Sequence, residues 1–187
     1  AGQDIDNRFT AGSGGLLAAG KLQLEGGVLD NRGGAVNAQG DARLLLARVD
    51  NSAGGTLASA ADLSLRAASL VNAGGRVQAG RNLDLTLDGH VDNAAGAIAA
   101  GQRLTLTAAS VDNRNTRGGD GTRGLQAGQL QFGAQWLDNS QGQVSWVSPV
   151  AQALLKAREG DEVRLMTPTG WRQIEVLAVS YPAPLAE

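Results

Sequence analysis

Cysteine is absent from the 187 residues, histidine occurs once, at His90, and aromatic side chains make up only 3% of the chain. Without cysteine there are no disulfides and no thiolate metal sites, and the redox compartment stays open. One histidine and no thiol assemble neither a His–Cys nucleophilic pair nor a zinc site. No apolar run approaches the roughly 20 residues of a membrane-spanning helix, so no membrane insertion is expected. Ala1 opens without a charged stretch followed by an apolar one, and the chain reads as an internal fragment with no address of its own. A formal net charge of -2 provides no basic field to hold a nucleic acid directly or an anionic membrane. The shortage of bulky rings argues against a thick core, while 27 glycines suit a narrow interior of stacked small and aliphatic side chains.

What the chain does contain is repetition. An apolar residue and an asparagine, usually with Asp between them, recur as Ile5-Asp6-Asn7, Leu29-Asp30-Asn31, Val49-Asp50-Asn51, Val71-Asn72, Val91-Asp92-Asn93, Val111-Asp112-Asn113 and Leu137-Asp138-Asn139. From Asn31 to Asn113 the steps are 20, 21, 21 and 20 residues, the signature of a solenoid. Each unit carries a period-2 apolar pair (Leu22/Leu24, Leu44/Leu46, Leu63/Leu65, Leu83/Leu85, Leu104/Leu106, Leu130/Phe132), then the Asn element, a glycine, and a further aliphatic residue (Val36, Leu57, Val77, Ile98, Leu125, Val144). Such alternation predicts about three short strands per unit, joined by Gly-bearing corners and unable to bury their apolar faces alone. The expected fold is an all-β solenoid: a right-handed parallel β-helix with coils of about 20 residues, stacked about 4.8 Å apart.

Within the X-Asp-Asn element, period-2 geometry turns the aliphatic residue inward, Asp outward and Asn back inward at the corner. Asparagine tolerates a corner and, stacked in register, bonds up and down the rod. The predicted ladder is Asn31, Asn51, Asn72, Asn93, Asn113 and Asn139. Stacked carboxylates repel, so Asp6, Asp30, Asp50, Asp92, Asp112 and Asp138 are expected to face water. A calcium-binding row would need the glycine-aspartate nonapeptide spacing, which is missing.

Two stretches break the period: excess residues fall in 9–15 and 115–123, where loops should protrude from corners. The second carries Arg114, Arg117 and Arg123 among glycines, a place for a glycan or acidic partner, but it lacks the Gly-Lys-Ser/Thr ending of a phosphate cradle. His90 stands where other units have Arg48 or Ser110 and reads as an exposed corner residue. Polysaccharide-cleaving β-helices need carboxylates from adjacent coils facing one groove, and the regular Asp row suggests a solvated turn instead. No catalytic residue, cofactor site or metal site is assigned, and no enzyme activity is expected.

The pattern Leu83-Asp84-Leu85, Val91-Asp92-Asn93, Gly96, Ile98 and Ala99-Ala100-Gly101 resembles the hemagglutinin repeat of filamentous-hemagglutinin-like exoproteins, over residues 1 to about 144. The resemblance implies a segment of a long, secreted β-helical rod exported by two-partner secretion. Such a rod serves in adhesion to a receptor or glycan on a host or neighbouring cell, or holds a contact-dependent toxin away from its own cell.

From Ser148 the pattern changes. Ser148 suits an N-cap, Pro149 the first helical position, and Val150, Ala153, Leu154 and Ala157 form one stripe before Gly160, predicting a helix of about ten residues. Residues 162–167 and 171–181 read as two strands around Pro168-Thr169-Gly170. Ser148-Pro149-Val150-Ala151-Gln152-Ala153-Leu154-Leu155, Gly160-Asp161-Glu162-Val163, Thr167-Pro168-Thr169-Gly170 and Ile174-Glu175-Val176-Leu177 to Tyr181 resemble the end of the Gre transcript-cleavage factors. That resemblance implies a small α+β segment, half of an FKBP-like domain, related to a domain that docks on RNA polymerase. The family's coiled coil, which carries the residues assisting cleavage, has no counterpart here, so cleavage stimulation is not expected.

The division is therefore 1–144 for the repeats and 145–187 for the Gre-like segment, with 130–136 resembling a strand of either. One half implies a secreted or cell-surface location and the other a cytoplasmic one, which points to a fusion. As a structural element the tail is expected to cap the open end of the rod.

Overall fold

The computed structural model describes residues 2–116, 123–138, 157–167 and 170–176. In chain order its strands are β1 (Ile5–Asp6), β2 (Leu16–Ala18), β3 (Leu22–Asp30), β4 (Ala35–Ala38), β5 (Ala42–Asp50) and β6 (Thr56–Ser59). They continue as β7 (Leu63–Ala67), β8 (Ser69–Val71), β9 (Arg76–Ala79), β10 (Asn82–Leu87), β11 (His90–Asp92) and β12 (Ala97–Ala100). The last are β13 (Arg103–Asp112), β14 (Gly124–Gln126), β15 (Gln129–Asp138), β16 (Glu162–Thr167) and β17 (Gly170–Glu175).

All pairing up to β15 is parallel, and each partner lies one coil away: Leu22 pairs with Ala42, Ala42 with Leu63, Leu63 with Leu83, Leu83 with Leu104 and Leu104 with Leu130. The result is a β-solenoid with two parallel sheets. One contains the long strands β3, β5, β13 and β15 together with β1, β7, β8, β10 and β11; the other is β14-β12-β9-β6-β4-β2. Where a long strand of one coil is opposed by two short ones of the next, as β5 is by β7 and β8, the strand bends. At that bend Ala47 and Arg48 are exposed in succession, so the inward–outward alternation changes phase. The bend carries alanine at Ala47, Ala68 and Ala109 and glycine at Gly27 and Gly89, so the expected Gly-bearing corner is shared between the two residue types.

The interior is a set of aliphatic columns. Leu65, Leu85 and Leu106 stack directly, as do Val77, Ile98 and Leu125, and all are almost completely buried. Small residues, Ala38, Ser59, Ala79 and Ala100, stack two positions further along the same six-stranded sheet and keep the interior narrow there. Burial comes from the coils above and below and from the sheet across the interior.

The register also locates the irregularities. The 21-residue steps place their extra residue at different corners, Gly54 after Asn51 and Asp88-Gly89 before His90. Both longer insertions fall at one corner, between the Asn position and the six-stranded sheet, because Leu16 pairs with Val36 and Gly124 pairs with Ala97. Much of the second, 117–122, lies outside the described residues.

In the tail, β16 and β17 form an antiparallel hairpin in which Glu162 faces Glu175 and Thr167 faces Gly170. Gly170 is thus in the ladder and not in the turn. The second strand ends at Glu175 with Val176 already irregular, short of the expected 171–181, and 177–181 lie outside the described residues. The expected helix falls on 148–156, also outside them. Residues 157 and 158 are not helical and 159–160 form a turn, so no helix runs up to Gly160. No described helix is long and apolar enough to cross a membrane.

Candidate functional site

Two columns of residues run side by side where each coil leaves the long sheet. The inner one is asparagine. Asn31, Asn51, Asn72, Asn93 and Asn113 are 0% exposed and Asn7 is 5% exposed. Each Nδ2 donates to the Oδ1 of the next: Asn7 to Asn31 at 2.6 Å, Asn31 to Asn51 at 2.6 Å, Asn51 to Asn72 at 2.7 Å, Asn72 to Asn93 at 2.7 Å and Asn93 to Asn113 at 2.7 Å. The second amide hydrogen goes to a carbonyl of the following coil, from Asn31 to Thr56 at 3.0 Å, from Asn51 to Arg76 at 3.0 Å and from Asn72 to Ala97 at 3.1 Å. All donors point the same way along the rod, so the bonds polarise one another. Asn139 lies outside the described residues.

The corner glycines follow from this packing. A Cβ on Gly75 would overlap the Asn51 carbonyl oxygen and stand 2.6 Å from the Asn72 Oδ1; one on Gly96 would overlap the Asn72 carbonyl in the same way. Where the insertions leave the corner, threonine replaces glycine. Thr10 Oγ lies 3.0 Å from both the Asn7 carbonyl and the Asn7 Oδ1, and Thr116 donates to the Asn113 carbonyl at 3.1 Å. Two residues after each Asn the backbone is left-handed whatever the side chain: Phe9, Gly33, Ala53, Gly74, Ala95 and Asn115 have φ between 53° and 64°.

The second column is aspartate. Asp6, Asp30, Asp50, Asp92 and Asp112 are in register, with Val71 in the place of one. They point outward, and their carboxylates are hydrogen-bonded there as well. Each accepts from the backbone N–H two residues on, at 3.0–3.3 Å. Three also hold the arginine found there: Arg8 to Asp6, Arg32 to Asp30 and Arg114 to Asp112, each at 2.7 Å. Arg8 is also 3.6 Å from Asp30, and Arg32 is 3.8 Å from Asp50, so the guanidiniums bridge coils. Ser52 donates its hydroxyl to Asp50 at 2.6 Å. The Arg8 bond is the main reason the Asp6 carboxyl is lowered to about 2. Asp30 and Asp112 are held below the usual range by Arg32 and Arg114, against a smaller opposing effect of burial. Arg8 and Arg32 were not singled out from the sequence, and Arg114, expected to serve a glycan or acidic partner, is held by Asp112 instead; the visible signal was Asp-Asn-Arg at 6–8, 30–32 and 112–114.

His90 is exposed, and its Nδ1 lies 2.9 Å from the Ser110 hydroxyl on the next coil. Among the described residues no group of His, Asp and Glu could hold a metal ion. Of the Gre-like positions, Ser148, Pro149, Ala153, Leu154, Pro168 and Tyr181 lie outside the described residues. Gly160 is left-handed, with φ 84°, and its N–H donates to the Val176 carbonyl at 2.8 Å. The Asp161 carboxylate accepts from the Arg158 N–H at 2.7 Å, and its carbonyl from the Val176 N–H at 2.9 Å. Gly160 and Asp161 therefore tie the start of the hairpin to its end, while Gly170 closes the opposite end.

Comparison with known proteins finds two families. The haemagglutinin repeat family matches residues 2–47, 46–95 and 78–146. The C-terminal part of the transcription elongation factor GreA/GreB family matches residues 132–181. GreB of Neisseria meningitidis serogroup A is 53% identical over 49 residues, 26% of this chain and 30% of that protein. GreA of Desulfovibrio desulfuricans is 45% identical over 50 residues, 27% of this chain and 31% of that protein. The chain thus spans about 30% of the length of the curated relatives it matches. No solved structure matches. The two family matches overlap on 132–146, and β15, whose residues 132–138 lie in that overlap, pairs in parallel with β13 from Arg103–Gln129 through Asp112–Asp138.

Proposed function

Because the chain belongs to the haemagglutinin-repeat family over residues 2–146, we propose that it is a structural and adhesive rod segment of a secreted or cell-surface bacterial exoprotein. In this reading it acts by binding and by spanning distance, and it turns over no substrate. The observation that carries the reading is the stacked Asn column running from Asn7 to Asn113. It commits each coil to its neighbours, and it leaves the outward side chains available to meet a receptor or glycan on another cell. The same construction suits a stalk that holds a toxin at a distance.

The test is attachment of the purified, fluorescently labelled chain to epithelial cells and to neighbouring bacteria. Saturable attachment supports the adhesive reading, and attachment no greater than that of an unrelated β-solenoid overturns it.

A second reading rests on the match at residues 132–181. By analogy with the Gre factors, the tail would bind RNA polymerase without stimulating transcript cleavage. It ranks second because β15, which begins the matched region, is paired along its whole length as a coil of the solenoid. Retention of the chain on immobilised RNA polymerase, lost on deletion of residues 148–187, would reverse the ranking.

A further inference from the structure

The two insertions leave the same corner, and they are bracketed alike. The first leaves at Thr10 and the second at Thr116, each three residues after its ladder asparagine. They return at Gly15, just before Leu16, and at Gly124, just before Leu125. The two glycines hold the place that Ala35, Thr56, Arg76 and Ala97 hold in the uninterrupted coils. Both are left-handed, with φ 62° and 87°. The stretches between the brackets, 11–14 and 117–123, differ in length and in sequence.

In an uninterrupted coil the backbone of the corner glycine serves the stack twice. Its N–H closes the turn on the ladder residue's carbonyl, Gly34 to Asn31, Gly75 to Asn72 and Gly96 to Asn93, each at 2.9 Å. Its carbonyl accepts from the next coil, Gly34 from the Thr56 N–H at 2.9 Å and Gly75 from the Ala97 N–H at 2.9 Å. Thr10 performs both tasks with one hydroxyl, which donates to the Asn7 carbonyl at 3.0 Å and accepts from the Ala35 N–H at 3.2 Å. Thr116 repeats the donor half on the Asn113 carbonyl. The main chain is thereby released from the stack and can leave. It comes back beside its exit: a Cβ on Gly15 would stand 2.9 Å from Thr10 Oγ and would overlap the Ala35 carbonyl oxygen. From this we propose that the Asn corner is the loop-bearing edge of the rod, where an exit threonine and a left-handed return glycine close the stack around a loop of free length and sequence. Because the loop's two ends meet at the corner, each doubling of its length costs only about 0.6 kcal/mol. What a coil presents along this edge is then set by its loop and not by its stack.

Thermal melting and amide hydrogen exchange of the full chain test this. Repeating residues 11–14 once more in the first loop should leave the melting temperature within about 3 °C of the parent. T10V keeps the shape but removes the hydroxyl; it should melt roughly 3–6 °C lower and speed exchange of the Ala35 amide by roughly tenfold or more. T10S keeps the hydroxyl and should recover most of both losses. A copy of residues 10–15 placed in the third coil instead of Gly75 and Arg76 should still melt cooperatively, and the same copy headed by valine should melt roughly 3 °C lower or more. The proposal is overturned if T10V melts and exchanges like the parent, or if T10S is no better than T10V. It is equally overturned if the lengthened loop or the threonine-headed copy unfolds the rod, or if the two copies melt together. The inference rests on the coil stack alone, so attachment of any of these variants to cells bears only on the adhesive reading.

Discussion

The Asn and Asp columns lie one residue apart in sequence and repeat at the same spacing, yet Asn is buried and bonded to itself while Asp lies at the surface and is bonded to everything except itself. An amide carries both donors and acceptors, so a stack of identical amides is self-complementary, and each new coil extends the chain of hydrogen bonds. An ionised carboxylate only accepts. A stack of carboxylates therefore needs donors from outside the column, and it obtains them from the turn backbone, from Arg8, Arg32 and Arg114, and from Ser52. At one position, Val71, the row drops the charge altogether. The lesson is that a repeat position is fixed tightly only where its own residue type satisfies the stack.

The sharpest break of that distinction moves a carboxylate from the surface to the interior. Leu85 is 0% exposed between Leu65 and Leu106, and Leu85→Asp places an unpaired charge there at a cost of more than about 4 kcal/mol. The variant should be largely unfolded at room temperature by circular dichroism; a cooperative melt near that of the parent would contradict the buried column.

The next largest effect is expected within the ladder itself. Asn72→Asp keeps the shape, but it removes the donors to Asn93 Oδ1 and the Ala97 carbonyl. The loss should be about 3–5 kcal/mol, because a buried charge is left facing another acceptor. Asn72→Ala should cost less, about 2–3 kcal/mol, from the unpaired Asn51 amide and Asn93 oxygen. Chemical denaturation of both orders them, and an Asp variant as stable as the Ala variant would remove the self-complementarity argument.

A smaller test separates close packing from backbone conformation at neighbouring glycines. Gly75→Ala meets the Asn51 carbonyl and should lose about 2 kcal/mol by overpacking. Gly74→Ala meets nothing within 4 Å and has φ 64°, a conformation that Ala53 and Ala95 already adopt, so its loss should be about 1 kcal/mol. Equal melting temperatures would indicate that the coils do not approach as closely at Asn51.

Legibility in the sequence followed the same distinction. Positions whose residue type is nearly uniform from coil to coil, such as the Leu83/Leu85 pair (broken by Ala42 and Phe132), Asn93 and Gly96 (replaced by Thr10 and Thr116), mark the period, the inward face and the corner. Positions whose demand is conformational or shared between residues do not show as a pattern. The left-handed place after each Asn is filled by Phe9, Gly33, Ala53, Gly74, Ala95 and Asn115, because a backbone requirement is met by different side chains at modest cost. The neutralising arginines appear in only some coils, so they read as scatter until Arg8 and Arg32 are seen bridging to Asp30 and Asp50. The bend at Ala47 is silent because two exposed residues in succession also occur in ordinary loops. In the tail each pattern occurs once, so nothing in the sequence marked that Gly170 enters the ladder opposite Thr167.

The smallest expected effect concerns the charged column and its dependence on acid. Asp30 and Asp112 have carboxyls held below their ordinary values by Arg32 and Arg114, and Asp6 is lowered to about 2 by Arg8. A carboxyl with a folded-state value below the unfolded one, about 3.9, contributes stability in full above that unfolded value and loses it as pH falls through the folded one. The melting temperature should therefore be flat from neutral pH down to about 4 and decline from there toward about 2. Asp112→Asn keeps an acceptor for the Arg114 N–H but removes the charge, and at neutral pH it should cost about 0.5–1 kcal/mol, the usual size of a partly screened pair. Its acid decline should be shallower than the parent's, because one titrating group has been removed, and added salt should narrow the difference between the two at neutral pH. A decline of the same steepness in both proteins would mean that Asp112 has the same affinity for protons folded and unfolded, and that neither the Arg114 guanidinium nor the Arg114 N–H favours its ionised form.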